Sequence, residues 1–137
     1  MNSAQSSPPI SYGFTRTLNV PLGTAIQLTE AALKTEGFGV LFQLDLKEKF
    51  KEKLGVDFKN YVILGVCNPA IAYKALQEEI GLGLLLPCNV IVFEDHRKSV
   101  VAAIDAEKLL SIVGRPELKE MAKEVNARLR RALESLA

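Results

Sequence analysis

The chain has one histidine, two cysteines and almost no excess charge, and each shortage removes a class of function. His96 stands without a partner at metal-binding spacing and reads as a solvated turn residue, so a histidine-based metal cluster is not expected. Two cysteines cannot complete a zinc site alone and do not make a disulfide framework. Seventeen Lys and Arg against sixteen Asp and Glu leave a net charge of +1, too little for a field that gathers nucleic acid or an anionic membrane. Aromatic residues are 7% of the chain, and Phe50, Phe58 and Tyr61 fit core positions better than a base-stacking platform. Nucleic acid is therefore not an expected partner. No apolar run approaches the roughly 20 residues that cross a bilayer, so no membrane association is expected either. Residues 1–9 lack the basic start and apolar centre of an export signal. The expected compartment is the cytoplasm, where both cysteines stay thiols.

What is present suits one folded unit. Of 137 residues, 48% are hydrophobic and 24% charged, the balance of a globular domain. Residues 1–10, with three serines and two adjacent prolines, read as a flexible leader, and residues 11–137 as a single α+β domain. Loose alternation over 12–20 predicts a strand. Leu22, Ala25, Ile26, Thr29, Ala32 and Leu33 predict a helix that starts near Pro21 and stops at Gly37. A second strand follows over 38–44. Asp45 then caps a short helix running to Leu54, closed by Gly55. Its lysines alternate with Glu48 and Glu52, the pattern of a face turned to water.

The continuous apolar run 61–66 predicts a central strand covered on both faces. A helix from Pro69 ends at Gly81. The strongest strand signal, 89–94, turns through a polar hairpin at 95–98 into a further strand over 99–104. A short helix capped by Asp105 and a last, long helix from Pro116 complete the pattern. That last helix carries one apolar stripe, for its own sheet or for another subunit. Helices interleaved with strands early and a hairpin late indicate an α+β, two-layer fold. Its sheet is mixed or antiparallel, with helices packed on one face. The glycine pairs at 37 and 39 and at 81 and 83 lack the third glycine and the strand-to-helix context of a dinucleotide site, and read as turns.

The chemistry-bearing residues fall in two corners, Cys67-Asn68-Pro69 and Pro87-Cys88-Asn89. If the strand ending at Cys67 pairs beside the one starting near Cys88, thiols and amides converge at one rim of the sheet. Three readings follow. The first is a binding module for a small molecule or a soft metal, its pocket lined by Cys67, Asn68, Pro69, Pro87, Cys88 and Asn89. The second is a thiol-dependent enzyme or redox carrier. There the helix starting at Pro69 lowers the Cys67 pKa, Cys67 attacks and Cys88 resolves. The third is structural: free cysteines act as small buried apolar residues while the asparagines cap turns, in a protein that only scaffolds or interacts. The residues alone leave open whether there is catalysis.

Four runs, at 37–41, 53–58, 63–69 and 83–90, hold Gly37-Phe38-Gly39, Lys53-Leu54-Gly55, Val66-Cys67-Asn68-Pro69 and Leu86-Pro87-Cys88-Asn89-Val90. In that order they resemble the domain of unknown function 302 family over roughly residues 12–134. The resemblance implies a small cytoplasmic-type α+β domain that forms a homodimer. It carries no settled activity, cofactor or substrate.

Overall fold

The computed structural model describes residues 10–137, so the expected leader lies outside the described residues apart from Ile10. In chain order the elements are β1 (Gly13–Leu18), α1 (Leu22–Thr35), β2 (Gly39–Asp45), α2 (Leu46–Leu54), β3 (Tyr61–Cys67) and α3 (Pro69–Glu78). There follow β4 (Cys88–Asp95), β5 (Lys98–Ile104), α4 (Ala106–Leu110) and α5 (Lys119–Glu134). The strands form one sheet in the order β1-β5-β4-β3-β2, and every neighbouring pair is antiparallel. This is the expected α+β two-layer arrangement, with the sheet resolved as antiparallel.

Strand alternation sorts the side chains onto two faces. One face holds Leu18, Leu64, Val66, Val90, Val92 and Val101, all buried. They pack against the apolar stripes of α1, through Ala25, Ile26 and Leu33, and of α5, through Val125, Leu129 and Leu133. The stripe on α5 is thus spent on its own sheet. A smaller cluster, Ala75, Leu82 and Leu118, ties α3 and the 3₁₀ turn at Ile80–Leu84 to the segment before α5. The helix layer of α1, α3, α4 and α5 lies against this one face. The expectation that β3 is covered on both faces is therefore corrected. Val62, Leu64 and Val66 are buried under helices, whereas Ile63 on the other face is only half-buried.

Local signals set the element ends. Asp45 accepts a hydrogen bond from the Glu48 amide at 3.0 Å, and Gly55 closes α2 in the left-handed region, where L side chains are strained. The β4–β5 hairpin turns on His96 and Arg97, both with positive φ, 48° and 70°. Two-residue hairpin turns need that backbone and normally place Asn or Gly there. Asn126 on α5 is fully buried and fully bonded. Its Oδ1 accepts from the Ala106 amide at 2.7 Å, and its Nδ2 donates to Asp105 and Glu107 carboxylates at 2.9 and 3.0 Å. Burial pushes the Asp105 carboxyl up, but the bonds from Asn126 and from the Lys108 and Glu107 amides win and hold it below the usual carboxylate range.

Two outcomes are expected. Replacing Asn126 by Ala orphans a buried amide and detaches the start of α4 from α5. Urea unfolding should show a loss of about 1–3 kcal/mol. Replacing Arg97 by Gly relieves one left-handed residue, and the same measurement should show a gain of about 0.5–1 kcal/mol, less than the strain because glycine also loosens the unfolded chain.

Candidate functional site

The two cysteine corners do meet. Val66 lies opposite Cys88 in the β3–β4 ladder, so the end of β3 and the start of β4 share one rim of the sheet. Asn68 is the N-cap of α3: its Oδ1 accepts from the Ile71 amide at 3.1 Å, and Pro69 opens the helix. The Asn68 amide also abuts Gly37. A Cβ there would stand 2.8 Å from Asn68 Nδ2, and Gly37 has φ +86°, so only glycine fits.

Cys67, Asn68 and Cys88 line one cavity together with Phe38, Ile71 and Met121. Pro69, Pro87 and Asn89 do not line it. Pro87 stands just before β4, after a cis bond from Leu86. Asn89 follows Cys88 in the strand and so points to the opposite face. The cavity holds about 40 Å³, room for a water but far below the few hundred that an organic ligand occupies. His96 sits at the far end of β4 from Cys88, beside Asp95 at 3.5 Å. Among the described residues no three His, Cys, Asp or Glu side chains are grouped to hold a metal.

Both thiols are free, and neither is activated. Burial pushes the Cys88 pKa up to about 11, with the neighbouring Cys67 adding to it, and burial alone raises Cys67. The lowering expected at Cys67 from the start of α3 is therefore corrected to a rise. At neutral pH each stays a protonated thiol, a poor nucleophile and a poor metal ligand.

A larger concavity lies on the other face of the sheet, where sequence reasoning did not look. It spans about 500 Å³ across β1, β5, β4 and the start of β3. Ile91 and Ala102 form its floor, Phe93 and Tyr61 one wall, Tyr12 another, and Asn89 reaches its end. Tyr61 and Phe93 stack at 5.4 Å with 14° between their rings. Burial raises the Tyr61 pKa, and the nearby Tyr12 phenol raises it further. The Tyr61 hydroxyl therefore stays a neutral donor at pH 7, and none of the residues lining the trough carries a formal charge. The signal available beforehand was that 61–66, 89–93 and 99–104 are apolar in both phases of the alternation.

The mixed-charge groove along α2, lined by Asp45, Lys47, Glu48, Lys51, Glu52 and Asp57, presents both signs, as the alternation of lysine and glutamate implied. No described helix is long and apolar enough to cross a membrane.

The protein family described as Domain of unknown function DUF302 matches residues 14–136. The fold is similar to the crystal structure of an uncharacterized conserved protein DUF302 from Bacillus stearothermophilus, with 34% sequence identity and a TM-score of 0.85. That match covers 91% of this chain and 98% of the other. No curated protein matches the chain.

The Cys88 thiol makes stability depend on alkaline pH. Its folded pKa, about 11, lies above the ordinary 9.0, so the unfolded chain ionises first. The associated stability is fully present below pH 9 and is lost as pH rises towards 11. Urea midpoints measured between those limits should fall, and Cys88→Ala should flatten that part of the profile.

Proposed function

We propose that this chain, which belongs to the Domain of unknown function DUF302 family, is a binding module for a neutral, largely apolar small molecule. The site is the open-face trough. The observation that carries this reading is the trough's combination of size and lining. About 500 Å³ falls within the range of small-molecule sites, and its lining follows their usual composition of mostly hydrophobic and aromatic residues with a few polar atoms. The stacked Tyr61 and Phe93 rings supply an aromatic side to the trough, backed by Phe58 at 6.1 Å from Tyr61 and by Lys59 at 5.4 Å from the Phe93 ring centre. The Tyr12 and Tyr61 hydroxyls and the Asn89 amide supply donors for a carbonyl or hydroxyl on the ligand. The absence of formal charge in the lining disfavours an ionic ligand, whose desolvation would go uncompensated.

Of the six residues first singled out, Asn89 alone lines this trough. The cysteine cavity supports the structural reading of Cys67, Cys88 and Asn68. It is small, almost wholly apolar in its lining, and its thiols are protonated. A soft-metal or thiol-redox role would require further ligands or a lowered pKa there.

Fluorescence titration with the neutral probe N-phenylnaphthylamine tests the proposal. The probe should bind the wild type, and Ile91→Glu, which puts a carboxylate on the trough floor, should weaken binding by about tenfold or more. The Tyr61→Phe, Asn89→Ala double variant should weaken a carbonyl-bearing naphthyl probe and leave the unsubstituted one unchanged. Unaltered probe binding by a folded Ile91→Glu protein would overturn the assignment.

A further inference from the structure

We infer that the chain carries a second binding site, for a free α-amino acid with an aliphatic side chain. It is a cavity among α4, the 3₁₀ turns at Ser111–Val113 and Pro116–Leu118, and the start of α5. The cavity shares no lining residue with the trough, and the inference does not rest on the ligand reading above.

The first support is a floor of suitable size and chemistry. The cavity holds about 290 Å³, close to the lower limit of small-molecule sites and several times the share of a water. Leu110, Leu118 and Ala122 give it an aliphatic lining. The last two are 1% and 2% exposed, so the floor is the outer surface of the packed interior. No lining residue is aromatic. A branched hydrocarbon chain therefore gains from burial there, whereas a ring finds nothing to stack on.

The second support is that opposite charges line the same cavity without neutralising each other. Glu107 and Lys119 both belong to the lining, and both are open to solvent. Among the described residues no ion pair joins them, and Lys119 is paired with no carboxylate. Glu107 is held from behind. Its Oε2 accepts from the buried Asn126 amide at 3.0 Å, while Oε1 has no hydrogen bond among the described residues. An ammonium group can take that oxygen and leave the Asn126 network intact. Ser111, also in the lining, donates its one hydroxyl proton to the Lys108 carbonyl at 2.6 Å, so its Oγ is left as an acceptor that suits an ammonium. Acceptors for an ammonium and a cation for a carboxylate thus border one apolar floor.

The third support is what the remaining charge excludes. Arg115 lines the cavity too, but its guanidinium already donates to the Glu79 and Glu117 carboxylates at 3.1 and 2.9 Å and to the Glu78 carbonyl. It braces the wall and offers no unmatched positive charge. A ligand with a carboxylate alone would leave Glu107 facing it, and one with an ammonium alone would lie beside Lys119. A zwitterion meets both groups with charge-assisted hydrogen bonds and leaves neither desolvated without a partner.

Isothermal titration calorimetry of the full chain at pH 7 with L-leucine should give a Kd at or below about 1 mM. N-acetyl-L-leucine lacks the ammonium and L-leucinamide lacks the carboxylate, and each should bind at least about tenfold more weakly. Glu107→Gln keeps an oxygen to accept from Asn126, and Lys119→Gln changes an exposed residue, so both variants should retain the far-UV circular dichroism of the wild type. Each should weaken L-leucine by about tenfold or more, Glu107→Gln removing the disadvantage of N-acetyl-L-leucine and Lys119→Gln that of L-leucinamide. A wild type that takes up no L-leucine overturns the inference, as do equal binding of the three ligands or unchanged affinity in both folded variants. Ile91→Glu separates this site from the trough, because it should leave L-leucine affinity within about twofold of the wild type. Loss of L-leucine binding in that folded variant would move the amino acid to the trough and overturn the second site. Intact L-leucine binding with N-phenylnaphthylamine unaffected by Ile91→Glu would overturn the trough reading alone.

Discussion

The contact between the inward faces of β3, β4 and β5 and the stripes of α1 and α5 is the constraint from which the rest of the structure follows. Leu64, Val90, Val92 and Val101 meet Leu33 and Leu129 with essentially no exposure. Each such side chain contributes about 1.5–3 kcal/mol on leaving water. Because strand side chains alternate strictly, fixing that layer also fixes every outward residue. A one-residue slip in β4 would move Val90 and Val92 out and Asn89 and Ile91 in, exchanging a dry core for a polar one. The position of the trough, the orientation of Asn89 and the separation of Asn89 from Cys88 are all consequences of a register set on the opposite side of the sheet.

The helix layer is in turn held at its ends by polar groups rather than by more hydrocarbon. Arg128 Nη1 donates to the Glu36 carbonyl at 2.9 Å, and Arg131 donates from Nη2 and Nε to the single Glu36 oxygen Oε1 at 2.9 and 3.1 Å. These bonds clasp the carboxyl end of α1 to α5. Arg115 joins the Glu79 and Glu117 carboxylates and the Glu78 carbonyl, tying the segment before α5 to the end of α3. These pairs are partly solvated, so each adds little to stability. Their effect is geometric: they fix where the ends of α1 and α3 meet α5 and the segment before it.

Much of the architecture was legible in the residues. Asp45, Asn68 and Asp105 each cap the helix expected of them, Gly55 and Gly114 adopt the left-handed conformations expected at breaks, and the hairpin turns within 95–98. The convergence of the two corners was also legible, because paired strand ends needed only antiparallel neighbours. Less legible was what the corners do. Spacing shows that Cys67 sits before a helix start, but not that burial at the rim raises its pKa. The trough was missed because period-two patterning reports which residues share a face, not which face finds a partner. Tyr61–Val66 was read as a strand buried on both sides. The reading of its composition was sound, but the helices supply only one of the two covers.

That mismatch is the strongest argument about function in this chain. The outward apolar residues run in uninterrupted register across β3, β4 and β5, and Phe93, Val100 and Ala102 among them are already buried. What stays open beside them is the trough of about 500 Å³, with Tyr12 at its border 62% exposed. Its lining carries no formal charge, so an uncharged ligand fills it without leaving a desolvated ion behind.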